Sequence, residues 1–164
     1  EDYLRVVSAK TAALFAAAAE SGAVISAQSE DRIAAMRDYG QNLGIAFQLV
    51  DDALDYSGRQ ALMGKSVGDD FREAKVTLPI ILAYARASET ARKFWTRTIE
   101  TGPQGEADLD RAITLVEETG AISETMARAR RYAAEAKRAL EILPAGEIRS
   151  VLADIADFCV ERAY

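Results

Sequence analysis

Between Leu43 and Tyr56 the chain is apolar around almost the whole circumference of a helix, and three aspartates, Asp51, Asp52 and Asp55, stand within the end of that run. A helix with no broad polar face is the inner helix of a bundle, so this segment requires other helices around it. Residues three and four apart share a helical face, which sets Asp55 under both Asp51 and Asp52. Three carboxylates on one turn repel one another, and burying such charge uncompensated costs several kcal/mol or more. A hard divalent cation with oxygen ligands, magnesium foremost, offsets that cost. Gln48, one turn earlier, is the only other polar residue on their face. The acidic turn reads as half of a metal-diphosphate site.

The same chain contains a control for this reading. Asp154, Asp157 and Glu161 have similar spacing but lie opposite an apolar stripe of Val151, Leu152, Ile155, Phe158 and Cys159. That is the pattern of an ordinary amphipathic helix with a solvated acidic face. No comparable polar face surrounds Asp51, Asp52 and Asp55.

The rest of the chain is patterned as helix. One helix is predicted over about residues 2–21, stopped by Gly22, and a second from about residue 30 to residue 57, with Ser29 as an incomplete cap. The segment from Gly58 to Lys75 breaks the period and reads as a polar loop. Pro79 suits the first turn of a short apolar helix through Ala87. Further helices are predicted at about 89–101, 106–119, 122–143 and 146–163, separated by Gly102-Pro103-Gln104-Gly105, Gly120 and Pro144-Ala145-Gly146. No alternating run of β-branched residues argues for a sheet. The expectation is an all-α helical bundle, a single domain over residues 1–164.

Composition excludes more than it selects. The 164 residues contain no histidine and one cysteine, Cys159. This removes Ser-His-Asp and Cys-His catalysis, the usual zinc sites and an internal disulfide framework. A cytoplasmic setting is the default expectation for such cysteine usage. The net charge of -6 argues against nucleic acid as a partner. No apolar run approaches the roughly 20 residues that span a bilayer. The sequence opens with Glu1, already in helical pattern at Tyr3, Val6 and Val7, and is expected to be preceded by further protein.

Basic residues flank the acidic turn. Lys65 follows Gly64 in the polar segment, and Lys75 closes it with Asp70 between them. A loop lysine is ordinarily a solvent group. Next to an acidic metal helix, however, ammonium groups neutralise substrate phosphate that shares the metal's shell. Lys10 and Thr11 lie in the first helix among Ala9, Ala12, Ala13 and Leu14, where a lysine either faces a cleft or snorkels along the surface. The stretch Arg128, Arg130, Arg131, Lys137 and Arg138 is interrupted by Glu135 and Glu141 and reads as a solvated face. Phe94 and Trp95 read as core or interface. No G-K-[ST] opens a helix, so the glycines do not make a phosphate loop of the Walker type.

Three stretches together resemble the trans-isoprenyl diphosphate synthases, or polyprenyl synthetases. They are Val6-Val7-Ser8-Ala9-Lys10-Thr11-Ala12, Gly44 through Tyr56, and Gly64-Lys65-Ser66-Val67-Gly68-Asp69-Asp70 continuing through Lys75-Val76-Thr77-Leu78-Pro79. The middle stretch is similar to the second aspartate-rich motif, DDxxD, of that family, with its preceding Phe-Gln. The resemblance covers essentially the whole chain and looks most like the long-chain, octaprenyl- or decaprenyl-type synthases. It implies the C-terminal half of the isoprenoid synthase fold and a Mg²⁺-dependent condensation of an allylic diphosphate with isopentenyl diphosphate. By position it implies Mg²⁺ on Asp51, with Asp52 and Asp55 assisting and Asp70 in the shell behind. It implies the allylic diphosphate on Lys10, Lys65 and Lys75, and Gln48 and Thr11 beside the developing cation.

The resemblance also implies an N-terminal half carrying the first aspartate-rich motif and a homodimer of the full synthase. Alone, the chain is expected not to catalyse elongation. The rival readings are a non-catalytic partner subunit of a heteromeric synthase, a terpene cyclase or head-to-head synthase, and a helical interaction module. The Gly64-to-Pro79 segment matches the cyclases poorly.

Overall fold

The computed structural model of the protein describes residues 1–57, 67–102 and 105–162. Those residues form helices and connections without a strand, as the period predicted. Helix α1 spans Asp2–Val7, Ser8–Ala12 forms a π-turn, and α2 continues over Ala13–Ile25. Within this stretch the N–H of Ala13 reaches back to the carbonyl of Ser8, five residues earlier. Such π-turns are rare and recur at functional sites.

Gly22 does not end the first helix. A single glycine inside a helix costs only about 1 kcal/mol relative to alanine, and the flanking residues carry α2 past it. The stop is made by Ala27, at φ 50°. The N–H of Gln28 bonds the carbonyl of Ala23 and that of Ala27 bonds Val24, at 3.1 and 3.0 Å. These two bonds around a left-handed residue are a Schellman closure, here made by alanine in place of the usual glycine.

Helix α3 spans Glu30–Leu54, ending slightly before the predicted limit. Its approach to the first helical stretch is set by two glycines. A Cβ on Gly44 would stand 2.6 Å from the Cα of Ala12, and one on Gly40 would stand 2.4 Å from the carbonyl oxygen of Phe15. Phe15 and Phe47 then meet with ring centroids 5.4 Å apart.

The expected polar loop contains a short helix, α4, over Asp69–Arg72. Its anchor is Phe71, 1% exposed and packed against Phe94 and Trp95 at 6.4 and 6.2 Å. Helix α5 spans Leu78–Arg86 with Pro79 in its first turn, where a missing N–H is harmless. Helix α6, Glu89–Thr101, is capped by Ser88, whose hydroxyl accepts the Ala91 N–H at 3.3 Å. Helices α7 (Glu106–Glu118) and α8 (Ala121–Ala139) follow, then a 3₁₀ turn over Leu140–Ile142 and α9 over Glu147–Glu161.

The chain forms two compact units, one of Glu1–Val50 with Ala127–Tyr164 and one of Asp51–Met126. In the first, Tyr39, Leu43, Ala46 and Leu49 of α3 are buried together with Ala129, Ala133 and Ala136 of α8. In the second, Phe71, Trp95, Leu109, Leu115 and Val116 are buried, with α4 and α5 packed against α7.

Helix α9 is rolled so that only Cys159 and, in part, Leu152 of its predicted apolar stripe are covered. Val151, Ile155 and Phe158 are 50%, 44% and 69% exposed, while Ala156, Cys159 and Val160 are buried. Small residues let the helix approach closely, and two polar contacts hold the roll. The Tyr39 hydroxyl donates to the Leu152 carbonyl at 2.9 Å. The Arg162 guanidinium lies 4.2 Å over the Phe47 ring and donates to the Phe47 carbonyl at 3.1 Å.

Candidate functional site

The sequence-predicted residues fall into two groups, one in each unit. In the unit of Asp51–Met126, Asp51 is exposed at the end of α3, while Asp52 and Asp55 are 2% and 6% exposed. Asp52 has interaction partners within the fold. Asp55 has a defined task. Its Oδ1 accepts the backbone N–H of Asp69 at 3.1 Å and its Oδ2 accepts that of Asp70 at 3.0 Å. The carbonyl of Asp55 also accepts the N–H of Gly68 at 2.8 Å. The carboxylate thus serves the first two N–H groups of α4, which have no partner inside the helix.

This stitch fixes α4 and the residues behind it. Gly68 sits at φ +81° with the Cδ1 of Leu109 only 2.2 Å from where a Cβ would be, so no other residue fits there unstrained. Ala74, at φ 53°, closes α4 with bonds from its own N–H to Phe71 and from the Lys75 N–H to Asp70, at 3.0 and 2.9 Å. The turn brings the Lys75 ammonium to Asp70 Oδ1 at 3.1 Å and to Glu73 Oε2 at 2.6 Å. Arg72, which donates to the Val67 carbonyl at 2.7 Å, ties the segment to Glu106 at 3.3 Å.

The electrostatics follow from this packing. Burial pushes the Asp55 carboxyl up to about 6, and the charge of Asp70 adds to the rise, while the two backbone amides oppose it. Burial likewise raises the Tyr56 phenol. Hydrogen bonds to Glu73 and then Asp70 raise the Lys75 ammonium, so it remains charged at any physiological pH. Its side chain is 47% exposed, and exposed pairs contribute little. Lys75 can therefore exchange a carboxylate for another anion at small cost.

In the unit of Glu1–Val50 and Ala127–Tyr164, the π-turn presents Lys10 and Thr11. Lys10 takes the surface alternative and is exposed. The Thr11 hydroxyl donates to Gln48 Oε1 at 2.8 Å. The close approach at Gly44 is what lets α3 come near enough for that bond. Lys65 lies outside the described residues.

Sequence reasoning missed the two glycine contacts, Gly68 and the backbone amides of Asp69 and Asp70. The Gly40-x-x-x-Gly44 spacing was visible as a small-residue face. The amides carried no signal, because every residue has one.

The donor set suits a hard cation without forming a closed cage. Among the described residues no three acidic or sulfur ligands converge on one point. Magnesium does not need such a cage; it keeps several waters and is held by one or two carboxylates and substrate phosphates. Asp51 is the carboxylate of this turn that stands exposed and open to such a cation, whereas Asp52 is buried among partners of its own and the hydrogen-bonded oxygens of Asp55 brace the turn.

The polyprenyl synthetase family profile matches residues 1–116. The octaprenyl diphosphate synthase of Haemophilus influenzae is 39% identical over 99% of this chain and 49% of its own length. The short chain isoprenyl diphosphate synthase of Methanothermobacter thermautotrophicus is 40% identical over 100% of this chain and 50% of its own. Among solved structures, a polyprenyl synthase from Caulobacter crescentus, complexed with calcium and isoprenyl diphosphate, superposes with a TM-score of 0.93 at 49% identity, covering 99% of this chain and 49% of that one. The chain thus spans about half the length of the relatives it matches. No helix among the described residues is long and apolar enough to cross a membrane.

Proposed function

The chain belongs to the polyprenyl synthetase family, and on that footing we propose that it supplies the second aspartate-rich half of a trans-prenyltransferase. The reaction is condensation of an allylic diphosphate with isopentenyl diphosphate to lengthen a polyprenyl diphosphate. The observation that carries this reading is the stitch from Asp55 to the amides of Asp69 and Asp70, which fastens the acidic turn to the segment bearing Asp70 and Lys75. An anion-neutralising lysine and an acidic turn in one corner suit a diphosphate that leaves during reaction.

In this reading Asp51 and Asp52 hold Mg²⁺, with Asp55 bracing the turn and Asp70 orienting Lys75. When bound, the cation supplies positive charge to the departing diphosphate. Lys75, with Lys65 and Lys10, binds the phosphate oxygens and stabilises the negative charge that grows on them as the allylic C–O bond breaks. The oxygens of Thr11 and Gln48 present their negative dipole ends to the allylic cation. The double bond of isopentenyl diphosphate then attacks that cation, and loss of a proton restores the alkene. Binding of isopentenyl diphosphate and the other metal-binding carboxylates are assigned to an N-terminal half, and the complete synthase is assigned as a homodimer acting in the cytoplasm.

Titration calorimetry with Mg²⁺ and a non-hydrolysable allylic diphosphate analogue tests the assignment on this chain. We expect Mg²⁺-dependent binding, weakened at least about tenfold by Asp51→Ala through the loss of one charge-assisted contact, and unchanged by Asp154→Ala. No binding, or equal effects of the two substitutions, would leave a helical scaffold as the reading. The isolated chain is expected to show no prenyl transfer, and elongation by the purified 164-residue chain would overturn the assignment of half the site to another segment.

A further inference from the structure

The unit of Glu1–Val50 and Ala127–Tyr164 holds a cleft that the prenyl-transfer reading does not use. It lies where the end of α2, the start of α3 and the connection into α9 meet, and it encloses about 620 Å³. That volume is within the range of small-molecule sites, about 300–1,000 Å³. Arg32 and Gln48 are both on α3, 16 residues apart, so the cleft sits about 24 Å along the helix from the Thr11–Gln48 pair.

Its lining has two characters. Gly22, Met36 and Leu152 contribute an apolar wall, and nothing lies within 4 Å of where a Cβ on Gly22 would be. Arg32 and Arg149 line the same space and are both half-buried. Each donates to a neutral oxygen, Arg32 to Gln28 Oε1 at 2.9 Å and Arg149 to the Leu143 carbonyl at 3.2 Å. Among the described residues neither forms an ion pair, whereas Arg37 of the same helix pairs with Glu20. Glu147 also lines the cleft, one acid against two cations. Half-buried guanidinium groups are ordinarily matched by an anion, because desolvated charge is costly unpaired.

We propose that this cleft binds a single-chain amphiphile with an anionic head, its tail against the apolar wall and its carboxylate or phosphate on Arg32 and Arg149. The bidentate fork of arginine suits both head groups. The proposal is independent of the diphosphate site.

Calorimetry on the 164-residue chain, below the micelle concentrations, tests it with decyl phosphate, decanoate, decanol and inorganic phosphate as probes. The expected result is saturable one-to-one binding of decyl phosphate, of decanoate or of both, with decanol and phosphate each at least tenfold weaker. A preference for decyl phosphate identifies a phosphate ester as the natural ligand class, and a preference for decanoate a fatty acid. The double variant Arg32→Gln/Arg149→Gln should weaken binding at least tenfold. Gly22→Leu, which fills the cleft with a good helix former, should abolish it. Asp51→Ala should leave it unchanged, separating this result from the test of the diphosphate site. Decanol binding as tightly as the anions would make the cleft a seat for an apolar protein segment and overturn the proposal. Unchanged binding in Gly22→Leu, or in the double variant with its melting temperature retained, would also overturn it.

Discussion

Asp55 Oδ2 accepts the backbone N–H of Asp70 at 3.0 Å, so these two aspartates meet through a carboxylate and an amide rather than as two charges facing a common ion. Asp55 therefore has a structural task that exists before any ligand binds, and that task has a pH signature.

The Asp55 carboxyl is raised to about 6 in the fold, above its ordinary value near 4. The charged form is disfavoured in the native state, so its relative contribution is best below the unfolded value and is lost as pH rises through about 6. The loss is on the order of 2–3 kcal/mol by linkage. Thermal melts of the metal-free chain should show Asp55→Asn gaining stability relative to wild type between pH 4.5 and 7. A constant offset is expected as well, because asparagine accepts only one of the two amide bonds. Parallel pH profiles for the two proteins would show that Asp55 does not carry this penalty.

Ala74 holds a left-handed conformation, at φ 53°, to turn Lys75 toward Asp70. Ala74→Gly removes that strain, about 1–2 kcal/mol for an L residue, while adding about 0.5–1 kcal/mol of unfolded-chain entropy. Chemical denaturation should therefore report a net gain of about 0.5–1 kcal/mol. A loss of stability would mean that Ala74 is unstrained.

Two glycines should respond in opposite directions to the same substitution. Gly22→Ala meets open space inside α2 and should stabilise the chain by about 0.5–1 kcal/mol. Gly44→Ala places a methyl 2.6 Å from the Cα of Ala12 and should destabilise it by about 1–3 kcal/mol. Equal midpoints for the two variants in urea would contradict the close approach of α3 to the π-turn.

Thr11 is half-buried and its hydroxyl points at Gln48. On the proposed prenyl-transfer reading, Thr11→Val in the complete synthase should lower kcat by about tenfold, the worth of one neutral hydrogen bond at its upper range, with KM for the allylic substrate changed less than about twofold. Thr11→Ser should restore kcat, since it keeps the hydroxyl. A rise in KM alone would assign the pair to substrate binding instead.

Much of this was legible in the chain. Apolar spacing located the helices, because burial on one face leaves a period in the sequence, and the flanks of Asp51, Asp52 and Asp55 marked them apart from Asp154, Asp157 and Glu161. The ends of elements were less legible. Ala27 and Ala74 stop helices although alanine favours them, because each turns left-handed and the N–H groups that follow close back on the last turn. Nor did the stripe on α9 disclose its roll, since Val151, Ile155 and Phe158 stay exposed while Tyr39 and Arg162 hold the helix through the backbone carbonyls of Leu152 and Phe47.

By itself the sequence determined an all-α chain with an acidic turn at the end of an inner helix, since those follow from local period and composition. Only the tertiary structure decided what each oxygen does. Asp55 serves amides 14 and 15 residues away, and Thr11 reaches Gln48 across 37 residues. The period of a helix records which face is apolar. It does not record which backbone group that face will meet.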